Sequence, residues 1–404
     1  MEIMSRYLAG LFALFPMLAA CGGDSPQAGS PDASPDSGLP APAGSIVFDD
    51  SFVHAIDLTL AAADWQAIID EAAAYVNDNA DRPYYPAQAS FDGDPLDGDV
   101  GMRLKGHISI DLAEGHRYPL KLDFNRYEDG LELDGLKKLN LNTDFDGPTL
   151  PIMRDHLSYG AWRELGVAAS RTSFSRVSVN GEDLGVYVLV EQVDGDFIER
   201  GFEPPYGDLY KPEQQTGSLE YRGPNIDDYP DIGHKWPDES DHAALLHAIE
   251  VLNSGTMSEL GEVFDVEGVL TYMAGNVVLG SGDYYPSTGH NYYLYEETPG
   301  RFTMLPWDMN GSQEPFHPDV CGPMAGLLSR RLLEDPANMD LYFALLAEFL
   351  QTAGSKEFLT ARLDSAADLL GAAVSIDEVE GLRQDIATRT DSLEAALAST
   401  TDCE

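Results

Sequence analysis

The chain has 404 residues, 43% of them hydrophobic, so it can bury a sizeable core as one large domain or two ordinary ones. Its charge is extreme, with 24 lysines and arginines against 69 aspartates and glutamates and a formal net charge of -45. Such a surface excludes a nucleic-acid-binding function, because phosphate contacts require lysine and arginine. It suits cationic partners or divalent metals, and it equally fits adaptation to a salty or extracellular setting.

The N-terminal residues predict an export signal followed by a tether. Residues 1–20 carry a short apolar run, too short for a typical membrane span, which is typical of a secretory signal peptide. The ending LAAC resembles the lipobox of bacterial lipoproteins, which implies a lipid anchor on Cys21. Residues 21–45 predict a disordered tether, because they hold too few apolar side chains to offset chain entropy. Gly22 after the anchor favours, by the same resemblance, a position in the cell envelope at the outer membrane.

Residues 46–193 predict a β-rich lobe with two helices. Alternating apolar and polar residues predict strands in SIVFDDSFVHAIDLTL, GDPLDGDVGMRLKGHISI, HRYPLKLDFNRY and LKKLNLNT. The helices are AAADWQAIIDEAAAYV and PIMRDHLSYGAWRELGV, the second with a proline in its first turn. In RTSFSRVSVNGEDLGVYVLVEQVD, Asn180-Gly181 joins two further strands as a tight hairpin.

Residues 194–404 predict a mainly helical lobe after a connector over about 194–235. Helical spacing continues from DESDHAALLHAIEVLNSG to the C-terminal SIDEVEGLRQDIATRTDSLEAALAST. The exception is HNYYLYEETPGRFTMLPWD, which predicts an antiparallel hairpin turning near Thr298-Pro299-Gly300. Strands in the first half and helices in the second predict an α+β protein.

Two cysteines remain once Cys21 carries lipid, namely Cys321 and Cys403. In an oxidising compartment they can pair and hold the C-terminus to the loop after the hairpin. Two free thiols are the alternative, and the sequence does not decide between them.

The predicted hairpin gathers oxygen-bearing side chains at its open end. A positional sum of about 597 places Asn291 opposite Pro306 and Asp308 opposite Gly289, and Asp283 lies in the loop just before. Carboxylate and amide oxygens suit Mg²⁺ or Mn²⁺, which keep waters and substrate phosphates as further ligands. In the protein-kinase site a loop Asp accepts the substrate's hydroxyl proton, and a later Asn and Asp hold the metal. The alternative is ordinary capping and turn chemistry.

Several segments between about residues 100 and 312 resemble the CotH (spore coat protein H) kinase family of atypical kinases. MRLKGHIS is similar to the family's arginine-glycine segment, YPLKLDF to its lysine-bearing strand, and SVNGEDLGVYVLVEQVD to its paired strands. GDLYK, GDYYPSTGHNYYLY and LPWDMN follow in the family's order. The resemblance implies a two-lobed, atypical protein-kinase-like fold. It also implies a protein kinase that uses ATP with Mg²⁺ or Mn²⁺ to phosphorylate Ser or Thr of protein substrates.

The resemblance also implies a role for each matching residue. Asp283 is expected to be the catalytic acid, with Asn291 and Asp308 as metal ligands. Lys121 is expected to pair with the nucleotide phosphates, although the alternation of YPLKLDF also allows it to face water. Asp155 and Glu164, on the helix at 151–166, remain alternative partners for this lysine.

Further nucleotide contacts are implied outside the hairpin. Lys105, beside Gly106, and Lys211 in GDLYK are candidate phosphate ligands. Glu191 begins the expected hinge at 191–193, whose backbone would bond to adenine.

Two departures from the family pattern bear on activity. Asn310 stands where the family commonly has an acid two residues after the metal-binding Asp, and Lys105 replaces an arginine, losing a bidentate phosphate contact. Both leave open a pseudokinase that serves as a non-catalytic surface, adhesion or envelope-assembly lipoprotein. If the chain is active, its acidic surface favours basic protein substrates.

Overall fold

The computed structural model describes residues 42–74, 82–106, 108–111, 117–143, 152–213, 217–314, 320–321 and 325–400. The predicted signal peptide and Cys21 lie outside these residues. No helix among the described residues is long and apolar enough to cross a membrane. Cys321 is disulfide-bonded, which excludes a free thiol there, and Cys403 lies outside the described residues.

The folded unit includes residues that the sequence assigns to the tether. The Arg171 guanidinium donates to the Ala43 carbonyl at 2.6 Å, and the Gly44 N–H donates to the Asp134 carbonyl at 2.6 Å. Residues 42–45 therefore belong to the body and not to the tether, because their backbone groups are hydrogen-bonded to it.

Strands form two β-sheets. In chain order they are Val53–Thr59 (β1), Tyr85–Phe91 (β2), Asp94–Leu104 (β3), Leu120–Asp123 (β4), Lys138–Asn142 (β5), Thr172–Val179 (β6), Glu182–Glu191 (β7), Leu209–Pro212 (β8), Ile232–Trp236 (β9), Tyr292–Thr298 (β10) and Arg301–Pro306 (β11). The first seven close into a barrel in the order β1-β2-β3-β4-β5-β7-β6, with β1 and β6 parallel. The other four form a sheet in the order β11-β10-β8-β9.

Helices make up most of the rest. They are Ala62–Ala73 (α1), Ile108–Asp111 (α2), Met153–Glu164 (α3), Gly195–Gly201 (α4), Ala243–Ser254 (α5), Met257–Val263 (α6), Val266–Leu279 (α7), Tyr285–Thr288 (α8), Leu327–Leu333 (α9), Pro336–Gln351 (α10), Lys356–Leu370 (α11) and Ile376–Ser399 (α12). Strands dominate before residue 192 and helices dominate after it, so the α+β prediction is confirmed.

Barrel strands β3, β4 and β5 turn apolar side chains inward and cationic ones outward. Leu120 and Leu122 are buried in the barrel core, and the intervening Lys121 points to the opposite face. The register pairs Lys121 with Arg103 on one side and Asn140 on the other. The outer face of these strands therefore carries a row of polar side chains that contributes to the candidate functional site.

The hairpin of β10 and β11 forms, but its register differs by one residue from the prediction. Tyr292, and not Asn291, faces Pro306. The difference arises because the turn is Pro299-Gly300, which pairs Thr298 with Arg301; a bulge between Glu296 and Thr298, before the turn, brings the register one residue back toward the prediction. Asn291 and Asp308 still leave the same end of the hairpin, and both have left-handed backbone, with φ of 53° and 59°.

Candidate functional site

Helix α3 holds the segment that follows the hairpin. It is buried from Met153 to Trp162 although its sequence is polar, because its polar side chains bind residues 308–313. The four side chains that do so lie on one face: Arg154, Asp155, Ser158 and Tyr159. The Asp308 N–H donates to the Tyr159 hydroxyl at 3.0 Å, and the next N–H, of Met309, donates to the Asp155 carboxylate. The helix thereby fixes the backbone that presents the Asp308 side chain.

Asp283 and Asn291 are brought together directly. The Asn291 amide donates to the Asp283 carboxylate and to its carbonyl, both at 3.0 Å, and the Thr288 hydroxyl donates to the other carboxylate oxygen. His290 Nδ1 lies 3.6 Å from the same carboxylate. Burial raises the pKa of Asp283, but the nearby His290 and the hydrogen bonds from Thr288 and Asn291 outweigh it, so the pKa lies below its usual value. Asp283 is therefore an oriented carboxylate at neutral pH.

Asp308 lies among a different set of groups. Within the described residues its side chain forms no hydrogen bond to Asp283 or Asn291, and it is electrostatically coupled to Lys105, Lys211 and Asp155. In the same part of the chain, no group of three or more His, Cys, Asp or Glu residues is arranged to hold a metal. Metal binding at Asp308 would therefore rely on the Asn291 amide, on water and on ligand oxygens.

Lys105, just after β3, and Lys211, on β8, lie beside Trp307, and Lys121, on β4, is close enough to Lys211 to feel its charge. Lys105 Nζ lies 5.5 Å and Lys211 Nζ 5.4 Å from the centre of the Trp307 ring. Lys105 Nζ also donates to the Asn142 side chain at 2.7 Å, and Lys121 Nζ donates to the Gln192 side chain at 2.6 Å. Lys121 thus does not simply face water, because Gln192 beyond β7 covers it.

The charges of these lysines are poorly compensated. Burial lowers the pKa of Lys105 and Lys121, and it lowers the pKa of Lys211 to about 8. Repulsion from Arg103, Lys138 and Lys211 lowers the pKa of Lys121 further. All three lysines are half-buried, so a ligand can still reach them. Among the described residues, none of the three forms an ion pair with a carboxylate.

Neither Asp155 nor Glu164 pairs with Lys121 among the described residues; of the two acids, Asp155 lies in this site, near Lys105. The Asn142 amide donates to Asp155 Oδ2 at 2.8 Å and accepts from Lys105, so it links the two charges. Burial raises the pKa of Asp155, and the nearby Asp308 charge adds to this effect, so that the pKa lies at about 6. Asp155 Oδ1 is buried and has no hydrogen-bond partner. Glu164 lies at the far end of the helix, near Arg362.

Glu191 holds the barrel together and is poorly placed as a nucleotide contact. Its buried carboxylate forms ion pairs with Arg171 at 2.6 Å and Arg200 at 2.8 Å. Its backbone N–H donates to the Arg171 carbonyl, and its carbonyl accepts from the Ser170 hydroxyl. Because these groups are occupied, any adenine contact in the 191–193 segment would have to come after Glu191.

The sequence analysis did not identify three residues that form hydrogen bonds with charged side chains or backbone groups of the site: Asn142, Gln192 and Arg154. For Arg154 the sequence offered one signal. The segment PIMRDHLSYGAW has polar residues around the whole helix, without the continuous charged face that is typical of a solvent-exposed helix. For Asn142 and Gln192 the sequence carries no comparable signal, since each lies at a strand end and gains its role from contacts across the fold.

Fold and site together define an α+β protein in which an acid–amide pair and three recessed lysines gather beside a seven-stranded barrel. The family model described as CotH kinase protein matches residues 102–382, more than half of the chain. The chain therefore belongs to the CotH family, and the predicted resemblance is confirmed.

Two relatives from Bacillus subtilis (strain 168) are similar to this chain. It is 25% identical over 251 residues to "Inner spore coat protein H", an alignment that covers 57% of this chain and 66% of the relative. It is 26% identical over 233 residues to "Inner spore coat protein H-like protein", covering 56% of this chain and 66% of that protein. The chain thus spans just under two thirds of the length of either relative.

Proposed function

We propose that this protein is an atypical, metal-dependent protein kinase of the cell envelope that transfers the ATP γ-phosphate to Ser or Thr of protein substrates. The barrel would be the N-lobe, and the helices with the four-stranded sheet the C-lobe, of a kinase-like fold. The observation that carries the proposal is the group of three half-buried lysines, none of which forms an ion pair with a carboxylate among the described residues, in a chain of net charge -45.

Half-buried lysines without ion-pair partners favour a polyanionic ligand. Placing such charges away from water costs free energy unless an opposite charge accompanies them. The chain has 69 acidic residues available, yet none forms an ion pair with Lys105, Lys121 or Lys211 in the described part of the structure. A polyphosphate would supply the missing negative charge, as it does in nucleotide sites.

The residues present fit a hard divalent cation. Asp308 offers a carboxylate, and Asn291 keeps its amide oxygen free because only its NH₂ group donates to Asp283. The buried Asp155 Oδ1 nearby also has no partner. Mg²⁺ and Mn²⁺ take one or two protein oxygens and complete their shell with water and phosphate. When bound, such an ion would neutralise charge on the phosphates.

The remaining chemistry would be done by the chain's own residues. Thr288 and Asn291 orient Asp283, which would accept the proton of the substrate hydroxyl as it attacks phosphorus. Lys105 and Lys211, both beside the Trp307 ring, would hold the phosphates in place. Positioning and charge stabilisation would supply most of the rate enhancement.

A non-catalytic envelope protein, a pseudokinase, is the second candidate, and Asn310 is the observation that favours it. This residue follows Asp308 by two positions, is half-buried, and offers an oxygen without charge where the family commonly has an acid. With one carboxylate fewer, the site would bind a divalent cation more weakly. Such a protein would bind nucleotide without transferring phosphate.

The location is proposed from the N-terminal sequence. A signal peptide over residues 1–20 and a lipid anchor on Cys21 would hold the body at the outer membrane. The proposed substrates would then be proteins of the envelope, with basic ones favoured by the acidic surface.

Phosphoryl transfer from labelled ATP tests the proposal. With Mg²⁺ or Mn²⁺, the wild-type body should label itself or a basic protein, and Asp308→Ala should reduce labelling at least about a hundredfold by removing the charged metal ligand. Asp364→Ala, which removes an exposed carboxylate on α11, should label normally. Absence of label with both metals, or equal label in Asp308→Ala, would overturn the kinase assignment. Nucleotide binding without transfer would identify the pseudokinase.

Nucleotide affinity should fall as the pH rises above 8. Burial lowers the pKa of Lys211 from 10.5 to about 8, so this cation loses its proton in a range where an ordinary lysine keeps it. The dissociation constant for ATP, measured by calorimetry between pH 7.5 and 9.5, should rise by up to about tenfold per pH unit. Lys211→Arg should show a flatter profile, because guanidinium stays charged. Identical slopes in the two proteins would contradict this role for Lys211.

Deprotonation of Lys211 does not destabilise the folded state, so the expected loss of ATP affinity is not a consequence of unfolding caused by this group. The folded pKa of Lys211 lies below its unfolded value, so the unfolded chain binds more protons between about pH 8 and 10.5. The contribution of Lys211 to the free energy of unfolding therefore rises with pH across this window. A falling affinity would reflect the lost charge on Lys211.

A further inference from the structure

Arg389, on the C-terminal helix α12, is a buried arginine that contacts both segments of the site. Its side chain is 2% exposed. Its Nε donates to the Val278 carbonyl at 2.9 Å, and its Nη2 donates to the Gln313 side-chain oxygen. Val278 lies in the last turn of α7, five residues before Asp283, and Gln313 lies five residues after Asp308. One guanidinium thus joins the two chain segments that carry the proposed catalytic and metal-binding acids.

The same two segments also meet directly beneath Arg389. The Gln313 N–H donates to the Leu279 carbonyl at 2.6 Å. Gly280 has a φ of 65°, and a Cβ there would lie 2.8 Å from Arg389 Cδ and 2.9 Å from the Glu314 carbonyl oxygen. Both the backbone conformation and the close approach therefore require glycine at this point.

The Gln313 side chain also contacts helix α3. Its side-chain NH₂ group donates to the Ser158 hydroxyl at 2.9 Å, while its oxygen accepts from Arg389. Arg154 of the same helix donates to the carbonyl of the neighbouring Ser312. The segment after Asp308 is therefore held between α3 on one side and α12 on the other.

Burying the Arg389 guanidinium costs free energy, so Arg389 is poorly suited to a purely stabilising role. Burial, with a smaller effect from the charge of Arg154, lowers its pKa to about 9, and its Nη1 is buried without a hydrogen-bond partner among the described residues. It forms no hydrogen bond to a carboxylate in the described structure, and Asp385 acts on it only through space. An apolar side chain of similar size would avoid this desolvation cost, so stability alone does not account for an arginine here.

We propose that Arg389 is a positioning residue that couples the loop carrying Asp283 to the segment carrying Asp308. It lies outside residues 102–382, which the family model matches, so nothing in that match assigns it a role. Its effect on catalysis rests on the proposed kinase function, whereas the coupling of the two segments does not.

Hydrogen exchange measures the coupling without any assay of activity. In Arg389→Met, amides of 279–291 and of 309–314 should both exchange about tenfold or more faster, because each segment loses its anchor. The matched control is Arg383→Met on the same helix, where the arginine is partly exposed and pairs with Asp364 at 2.6 Å. The control should leave both segments unchanged. Unchanged exchange in Arg389→Met, or faster exchange in one segment only, would overturn the proposal.

The metal dependence of phosphoryl transfer is a second measurement. It should stay unchanged in a variant that is only less stable. The half-saturating Mn²⁺ concentration should rise about tenfold in Arg389→Met, as expected when a supporting residue of a metal site is lost. Gln313→Leu should raise it similarly, and the double variant should be no worse than Arg389→Met, because both act through one contact. Additive effects would show that the two residues act independently and would overturn the coupling.

The two readouts separate failure of this inference from failure of the proposed function. If the wild-type protein transfers no phosphate, the kinase proposal fails, and hydrogen exchange alone decides whether Arg389 couples the two segments. Unchanged exchange in Arg389→Met, with label transfer still lost in Asp308→Ala, removes the coupling and retains the kinase. If Arg389→Met does not fold, Gln313→Leu decides: faster exchange in both segments supports the coupling, and a change confined to 309–314 overturns it.

Discussion

Replacing Asp283 by Asn should reduce phosphoryl transfer by about a thousandfold, while the dissociation constant for ATP changes little. The carboxylate has a pKa below its usual value and is therefore ionised at neutral pH, ready to accept a hydroxyl proton. An amide of the same shape cannot accept that proton. The nucleotide would be held mainly by Lys105, Lys121 and Lys211, none of which contacts Asp283 through a hydrogen bond in the described structure.

Steady-state transfer and calorimetric ATP binding, measured on the same preparation, separate the two effects. Asp364→Asn is the matched control, because it makes the same chemical change at an exposed carboxylate on α11. Unchanged transfer in Asp283→Asn would remove Asp283 from catalysis. A parallel loss of ATP affinity in a folded variant would instead assign Asp283 to binding.

Replacing Glu191 by Gln should lower the free energy of unfolding by about 3–5 kcal/mol, because it breaks a buried ion pair. The carboxylate is 2% exposed and receives two hydrogen bonds from the side chain of Arg200, at 3.0 and 2.8 Å. Arg171 adds further bonds from its guanidinium and its backbone. A neutral amide would leave two largely buried guanidinium groups without a counter-charge.

Urea unfolding at neutral pH measures this loss. Asp183→Asn is the control, because Asp183 pairs with Arg176 on the same two strands but both side chains are about half exposed, so less than about 1 kcal/mol is expected. Burial raises the pKa of Glu191, but Arg200 and Arg171 outweigh it, so the folded pKa lies below 4.5. The stabilisation is therefore present above pH 4.5 and is lost as the pH falls through the folded pKa. An equal cost for both variants, or a gap that widens in acid, would contradict this assignment.

Local patterns predicted much of the fold because they depend on neighbours in the chain. Alternation predicted the strands around Lys121, and Asn180-Gly181 predicted the hairpin between β6 and β7. The hairpin that bears Asn291 was predicted with its register shifted by one residue, because a hydrophobic pattern shows neither which residues form the turn nor where a bulge lies. Asp283 and Asn291 are close in sequence, and the structure brings them together.

The sequence by itself determined the α+β class, the family and the order of the polar residues in the site, because these follow from periodicity, composition and short motifs. Only the tertiary structure decided which charges meet. Asp155 lies beside Lys105 while Glu164 points away, and Glu191 is enclosed by two arginines. Such choices depend on burial and on contacts between distant segments; Arg389 reaches Val278 across 111 positions of the chain. No local pattern encodes a pairing of that length, because its free energy arises only when the segments have packed.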